Sequence, residues 1–261
     1  MKNIKHLRDS LIELKDNYGI VGLKGGTEVE DLSFKEIEYI HSISCGIVPL
    51  TIKIGGPEAR NDMRKLFELK VEGILAPMIE SPYAFNNFIK TAMELLKEYG
   101  IRPMLCMNAE TITFYHNMDK IISNPYFSRI DSVTVGRGDL SGSMEKSCVD
   151  DPEVTKVAKD IIVKVRKLGK KTSVGGKLTP ESIMNVYENI GSHRANTRHV
   201  LISLESGLDL KQACAHSLAF EIKLYEELRN IAPDKKDAYN NRIVETKRRM
   251  VKGFASAAMI A

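Results

Sequence analysis

The sequence predicts an α/β fold, a (β/α)8 TIM barrel with an extended C-terminal helical segment. Short runs rich in β-branched residues alternate with amphipathic stretches, the pattern of βα units on a parallel sheet. Seven such runs fall between Gly19 and Ser203. No Gly-x-Gly-x-x-Gly follows the first run and no Walker lysine motif occurs, which removes support from the dinucleotide and P-loop versions of an open doubly wound sheet. The chain of 261 residues also matches the roughly 250 that one barrel uses.

Taken in order, strands are expected near Gly19–Leu23, Pro49–Ile54, Gly73–Met78, Arg102–Met107, Ser132–Val135, Lys171–Val174 and His199–Ser203. Helices are expected near Phe34–Ser44, Glu58–Leu69, Pro82–Tyr99, Asn117–Ile122, Pro152–Leu168 and Pro180–Asn189. Ser33, Ser81 with Pro82, Asp151 with Pro152 and Thr179 with Pro180 are helix-start signals, a side-chain oxygen for the orphan N–H groups often followed by proline in the first turn. Residues 1–17 also read as a helix. It is therefore the first strand of eight that is expected to be missing, very short or supplied in an unusual way.

Residues 1–261 are read as a single domain in which 207–261 are C-terminal helices. From Leu208 to about Ala258 the chain is nearly all helical, with a break at Ala232-Pro233-Asp234. Its apolar face (Ala219, Ile222, Leu224 and Leu228, then Ile243, Met250 and Phe254) must bury against the barrel or against a neighbouring subunit, and a homo-oligomer is expected. The run Lys247-Arg248-Arg249 can bind an anion, but a solvated helix face is the preferred reading.

Composition excludes several classes. A net charge of +4, 7% aromatics and no Trp give no basis for nucleic-acid binding. The apolar runs are too short for a membrane helix. Cys45, Cys106, Cys148 and Cys214 form no Cys-x-x-Cys pair and read as reduced, mostly packing thiols. The charged stretch Lys2–Asp16 lacks the features of a secretory signal, so a cytoplasmic address is expected.

Barrel enzymes place their chemistry at the carboxyl ends of strands, so polar residues just after each run are the candidates. These are Lys24 with Glu28 and Glu30, Lys53 with Gly55-Gly56 and Glu58, Glu80, Asn108 with Glu110, Arg137 with Asp139, Gly175-Gly176-Lys177, and Glu205. Glu110 and Asp139 end consecutive strands. As neighbours they can hold Mg2+ or Mn2+ with positions left for water and substrate oxygens, or each can cap the helix that follows. Lys24 and Lys53 are either catalytic cations or partners of rim acids. Glu58 and Glu80 hold loops in the simpler reading, and the double glycines are plain turns. His41, His116, His193, His199 and His216 show no ligand spacing.

The segment Asn108-Ala109-Glu110-Thr111, with Ile130-Asp131-Ser132-Val133-Thr134-Val135-Gly136-Arg137-Gly138-Asp139-Leu140-Ser141-Gly142-Ser143, resembles the HpcH/HpaI aldolase and citrate lyase β-subunit superfamily. Residues 73–81 and 51–56 add weaker support, and the likeness spans about Lys24 to Glu205. The resemblance implies a metal-dependent barrel that makes or breaks a carbon–carbon bond next to a pyruvate-like or acyl-thioester enolate. It assigns the Mg2+ or Mn2+ ligands to Glu110 and Asp139. Two departures stand out: Lys53 occupies a position often held by Arg, and Gly25–Asp31 contains no His where the family carries a Glu-His base pair.

The expected activity is therefore carbon–carbon lyase or aldolase chemistry on a small anionic substrate, a 2-oxo acid that can be phosphorylated or CoA-linked. In this reading Arg137 and Lys53 neutralise substrate charge, backbone near Gly136 and Gly138 with Glu80 binds the substrate, and Lys24, Glu28 or Glu30 handles the proton. The alternatives are a CoA-ester lyase or phosphoenolpyruvate-using enzyme on the same site, and a non-catalytic metabolite-binding barrel.

Overall fold

The computed structural model describes residues 2–205, 207 and 209–255. Leu208 and Ala258, the limits expected for the helical tail, and the side chain of Phe254 lie outside the described set. Helix α1 (Lys2–Tyr18) leads into β1 (Ile20–Gly26), followed by α2 (Phe34–Ser44), β2 (Leu50–Lys53), α3 (Arg60–Glu68) and β3 (Gly73–Ala76). Next come α4 (Pro82–Tyr99), β4 (Met104–Ala109), α5 (Ile112–Ile122), β5 (Ser132–Gly136), α6 (Arg137–Ser143) and α7 (Pro152–Lys167). The chain continues through β6 (Lys171–Gly175), α8 (Ser182–Asn185), β7 (Arg194–Asn196), β8 (Val200–Ser203), α9 (Leu210–Ile231) and α10 (Lys236–Ala255).

The eight strands close into a barrel in sequence order. Neighbours from β1 to β7 pair parallel. The last strand, β8, is antiparallel to both β7 and β1. This corrects the expected strand count at a different place from the one anticipated. The first strand is present, and the unpredicted one is β7. Its three residues put Arg194 and Asn196 toward the barrel interior around a small void that they share with Thr134 and Ser173, and only Ala195 packs into the apolar core. Three residues with one apolar side chain carry no readable alternation.

Caps explain several helix starts. Ser33 and Glu36 form a reciprocal capping box, while Ser81, Thr111 and Asp151 each accept a first-turn N–H. Thr179 Oγ1 accepts from the Ser182 amide. Apolar stripes then bury Ile37 and Ile40 of α2, Phe85, Phe88 and Ile89 of α4, and Val154, Ile161 and Val165 of α7 against the outer face of the sheet. Cys106 and Cys214 are packing thiols as expected, whereas Cys45 and Cys148 are exposed. No helix among the described residues is long and apolar enough to cross a membrane.

The helical tail packs on its own chain. Helix α9 lies against α1 and β8, and α10 folds back along α9. Residues Leu218, Leu224, Tyr225 and Leu228 of α9, with Tyr239 and Ile243 of α10, are buried in the common core. The return of α10 is fixed at the loop after β1. Tyr239 Oη donates to Glu36 Oε1, Lys235 Nζ lies 3.2 Å from Glu36 Oε2, and Arg242 donates to the Glu30 carbonyl at 2.8 Å.

Glu36 is fully buried. Burial alone would raise its carboxyl pKa, but hydrogen bonds from Tyr239, Ser33 and Lys235 outweigh burial and hold it below the ordinary 4.5. A depressed carboxyl stabilises the fold above its unfolded pKa, and that contribution is lost as pH falls through the folded value. Glu36→Gln should therefore lower stability at pH 7 by about 1–3 kcal/mol in urea unfolding, since buried donors lose an ionised partner. The difference from the parent should shrink below pH 4.5. An equal loss at all pH values would refute the ionised clamp.

Candidate active site

The mouth at the carboxyl ends of the parallel strands holds a cavity of about 380 Å3. Five cations line it: Lys24, Lys53, Lys177, Arg198 and Arg249. Four carboxylates, Glu30, Glu110, Asp139 and Glu245, share the wall.

Strand register brings the two expected metal ligands together. Ala109 pairs with Val135, so Glu110 follows β4 beside Gly136 at the end of β5. A Cβ built on Gly136 would lie 3.0 Å from Glu110 Oε2 and 3.9 Å from Asp139 Oδ2. Both carboxylates thus reach one point that only glycine leaves free. Neither caps a helix: the α5 cap is Thr111, and the residue before α6 is Gly136 itself. The simpler reading of these two acids as helix caps is set aside.

Glu110 is buried, whereas Asp139 is exposed at the rim. Glu110 Oε1 accepts the Met78 amide at 3.0 Å and Oε2 accepts Asn108 Nδ2 at 2.7 Å. Met78 presents that amide from a left-handed conformation, φ 50°, which is uncommon for a residue other than glycine. Burial first, and Asp139 after it, raise the Glu110 pKa against the Met78 hydrogen bond and the lysines Lys53 and Lys24. A buried carboxylate pressed toward protonation beside a second acid is a donor set that gains from a cation. Two carboxylates with open positions suit a hard divalent ion, so these residues fit Mg2+ or Mn2+. No cluster of three or more His, Cys, Asp or Glu side chains with metal-ligating geometry occurs among the described residues.

Opposite this pair, Lys53 is buried with its Nζ 2.6 Å from Glu28 Oε2 and 3.9 Å from Glu30 Oε2. Burial lowers its pKa, but Glu30, Glu28 and Glu110 together raise it further, so it stays charged. Glu30 folds over the end of β1 because Gly26 has no side chain, and a Cβ there would meet Glu30 Oε2 at 2.5 Å. Burial raises the Glu30 pKa while Lys24 and Lys53 outweigh it, leaving the carboxyl below its usual range. Lys24 differs from its neighbour. Its ammonium makes no hydrogen bond or close ion pair among the described residues, and burial, reinforced by Lys53, lowers its pKa despite Glu30.

Three expectations change. Arg137 is fully buried and its guanidinium is spent on the rim: Nε donates to the Gly175 carbonyl and Nη2 to Gly176, both at 3.2 Å, and Nη1 meets Asp150 Oδ1 at 2.5 Å. It ties β5 to β6 and does not line the cavity. Glu80 likewise stays outside the cavity wall, its carbonyl accepting from Asn117 Nδ2. Glu205 lies at the opposite end of the barrel, because antiparallel β8 runs away from the mouth and its Ser203 pairs with Arg194 at the start of β7. Gly136, Gly138, Gly175, Gly176 and Lys177 do line the cavity. Gly55 sits outside it, its amide donating to Asp62 in a plain turn, and Glu58 holds Asn87.

The reversed strand also explains what sequence reading missed. In an antiparallel strand the residues at the mouth are those before it, and these are Thr197, Arg198 and His199. Glu221 of α9, fully buried, anchors this turn: Oε1 accepts Thr197 Oγ1 at 2.6 Å and the His199 amide at 2.5 Å. Its Oε2 lies 3.2 Å from Arg249 Nη2 of α10. Arg249 is thus a cavity residue and not part of a solvated face, although Lys247 and Arg248 beside it are exposed. His199 is fully buried beneath the wall, its Nδ1 against the Lys24 carbonyl at 2.9 Å and its ring edge-on to Tyr225. Burial lowers its pKa more than Glu221 and Glu30 raise it, so it is neutral at pH 7.

No protein-family profile and no curated protein sequence matches the chain. Solved structures do resemble it. An HpcH/HpaI aldolase/citrate lyase family protein from Burkholderia cenocepacia J2315 superposes with TM-score 0.57 at 12% identity, over 86% of this chain and 99% of that one. An HpcH/HpaI aldolase from Desulfitobacterium hafniense DCB-2 gives 0.55 at 14% identity, over 69% and 86%. The citrate synthase SbnG gives 0.53 at 13% identity, over 70% and 87%. At these identities the chain shares their α/β-barrel fold, which is the fold expected from its sequence.

Glu110→Gln removes the buried charge while keeping the shape, and Asn108 can turn its unpartnered Oδ1 toward the new amide. A carboxyl with a raised pKa stabilises the fold below its unfolded pKa and loses that contribution as pH rises through the folded value. In chelator at pH 7, Glu110→Gln should therefore melt above the parent, with the gap closing as pH falls through that folded value. A lower midpoint at pH 7 would show that the carboxylate is stabilising as it stands.

Proposed function

We propose that the protein is a divalent-metal-dependent carbon–carbon lyase of the aldolase type acting on a 2-oxo acid. The observation that carries this reading is the convergence of Glu110 and Asp139 on the side-chain-free point beside Gly136. The likeness of the fold to aldolase and citrate lyase family structures supports it. Glu110 and Asp139 are the residues that would hold Mg2+ or Mn2+, and such an ion supplies Lewis-acid stabilisation of charge developing on an enolate oxygen.

The rest follows from the chain's own groups. Asn108 and the Met78 amide orient Glu110 so that its carboxylate faces the cavity already in place. Lys53, fixed as a cation by Glu28 and Glu30, offers a buried positive charge to the carboxylate or enolate of a bound 2-oxo acid. Glu28 is committed to Lys53, and Glu30 is held ionised by two lysines, which makes it a weak base. Of the three proton-transfer candidates this leaves Lys24, whose lowered pKa brings it nearer the range where an amine exchanges protons. A volume of about 380 Å3 is at the small end for ligand pockets, suited to a substrate of a few carbons.

The test is pyruvate release from a panel of 4-hydroxy-2-oxo acids by protein stripped of metal and resupplied with Mg2+ or Mn2+. Turnover should need the ion, and Glu110→Gln and Asp139→Asn should each reduce kcat/KM by roughly a hundredfold or more, the scale of losing an electrostatic stabiliser. Calorimetry should show that neither variant binds Mn2+ as the parent does. Lys24→Met should lower kcat by about 100-fold or more with KM little changed, as expected for loss of a proton-transfer group. Parent-like Mn2+ binding by both carboxylate variants would sink the site assignment.

A further inference from the structure

The mouth has two chemically distinct sides. One carries the carboxylate pair with Lys53, which the proposed activity uses. The other is built from the β7–β8 turn and α10, and it brings Arg198 and Arg249 to the same cavity. These arginines are unexplained by enolate chemistry, and nothing about a barrel requires them there.

Their setting is that of a built site. Arg249 is only 9% exposed, and its Nε has no partner among the described residues. Its one close carboxylate among the described residues is Glu221, a residue with no exposure that also fastens Thr197 and the His199 amide on either side of Arg198. A single buried acid therefore holds the Arg249 guanidinium and the backbone on both sides of Arg198. Among the described residues Arg198 itself meets only the rim acid Glu245, at 3.6 Å, a distance longer than a hydrogen bond. Both arginines retain unused donors, and guanidinium donors in a fixed fork match carboxylate and phosphate oxygens. Among the described residues the wall carries five basic side chains against four acidic ones, and a divalent ion at Glu110 and Asp139 would tip it further toward positive charge.

We propose that Arg198 and Arg249 form a subsite for a second anionic group, a carboxylate or a phosphate at the end of the substrate remote from its 2-oxo acid. This rests on the lyase reading for the placement of the 2-oxo acid end. The substrate class then narrows to a 2-oxo acid with two anionic termini. Glu221 is a positioning residue that acts through both arginines. Lys177, exposed on the β6 loop, adds a third positive charge to this rim.

The test compares probes of one length that differ at the far end: 2-oxoglutarate, 2-oxo-4-phosphonobutanoate and 2-oxopentanoate, titrated calorimetrically into Mn2+-supplemented protein. The doubly anionic probes should bind at least about tenfold more tightly than 2-oxopentanoate, the ratio expected of one charge-assisted pair. Preference for one of the two identifies the terminus as carboxylate or phosphate. Arg249→Gln and Arg198→Gln should each narrow the ratio toward one, and Arg249→Lys should restore part of it, with thermal melting checking that each variant is folded. Equal affinity for charged and uncharged probes, or a preference that survives both substitutions, overturns the subsite while leaving the lyase reading intact. If none of the three binds the parent, the 2-oxo acid reading fails, and the subsite falls with it.

Discussion

Charge buried at the barrel mouth must be compensated, and the architecture of this end of the molecule follows from that requirement. Removing an ion from water carries an effective penalty of several kcal/mol unless partners replace the lost hydration. Lys53 meets it with Glu28 and Glu30, Glu30 in turn with the two lysines, and Arg249 with Glu221. Each of these pairs joins different elements. The loop after β1 is joined to β2, α9 to α10, and α9 again to the β7–β8 turn. Satisfying the charges and assembling the cavity are therefore the same event. Two groups stand outside this scheme: Glu110, a buried acid whose hydrogen bonds do not outweigh its burial and the nearby Asp139, and Lys24, whose burial and charged neighbour outweigh the pull of Glu30.

The antiparallel last strand makes this possible. A parallel β8 would need a crossover before it, and its mouth residues would follow it. With a tight turn instead, Thr197, Arg198 and His199 reach the rim directly from β7, and β8 still supplies both hydrogen-bonding edges needed to close the cylinder. Because β8 ends at the far face, α9 starts there and runs back along the barrel, and α10 starts beside the loop after β1 and folds back along α9 to bring Arg249 to Glu221. The route of the tail is thus a consequence of strand direction. It places Arg249, more than a hundred residues from Asp139 in sequence, on the same cavity wall.

Much of this was legible in the residues. Runs such as Thr51-Ile52-Lys53-Ile54 and Val133-Thr134-Val135 stand out because parallel strands are buried on both faces. Ser33 with Glu36 marks its helix by a local reciprocal bond. Glu110 and Asp139 could be paired from strand order alone. What escaped the reading depends on long-range geometry. The short β7 has polar side chains turned inward, and Arg137 looks like a substrate ligand by position but is consumed by the Gly175 and Gly176 carbonyls. Lys247, Arg248 and Arg249 are alike as letters, and only the packing of α10 on α9 decides that the third is buried. Arg198 could have been found only by knowing that the following strand runs backward.

The pair Lys24 and Lys53 shows how a β1 loop without histidine can still separate a fixed charge from a movable proton. Two ammonium groups near each other cannot both be fully favoured, so the nearby carboxylates decide which one keeps its charge. Among the described residues Glu28 pairs with Lys53 alone, and the net effect is that Lys53 is raised while Lys24 is lowered by burial and by its charged neighbour. Environments that push two like groups in opposite directions are how acid and base roles are divided within one site. His199 does not take over the proton, since it is buried beneath the cavity wall with Nδ1 held by the Lys24 carbonyl. Its contribution is positional, fixing the backbone of the very residue whose side chain is left free. Lys at position 53 also fits this division better than Arg: a compact ammonium can sit between two carboxylates, and the guanidinium forks are kept for the opposite wall.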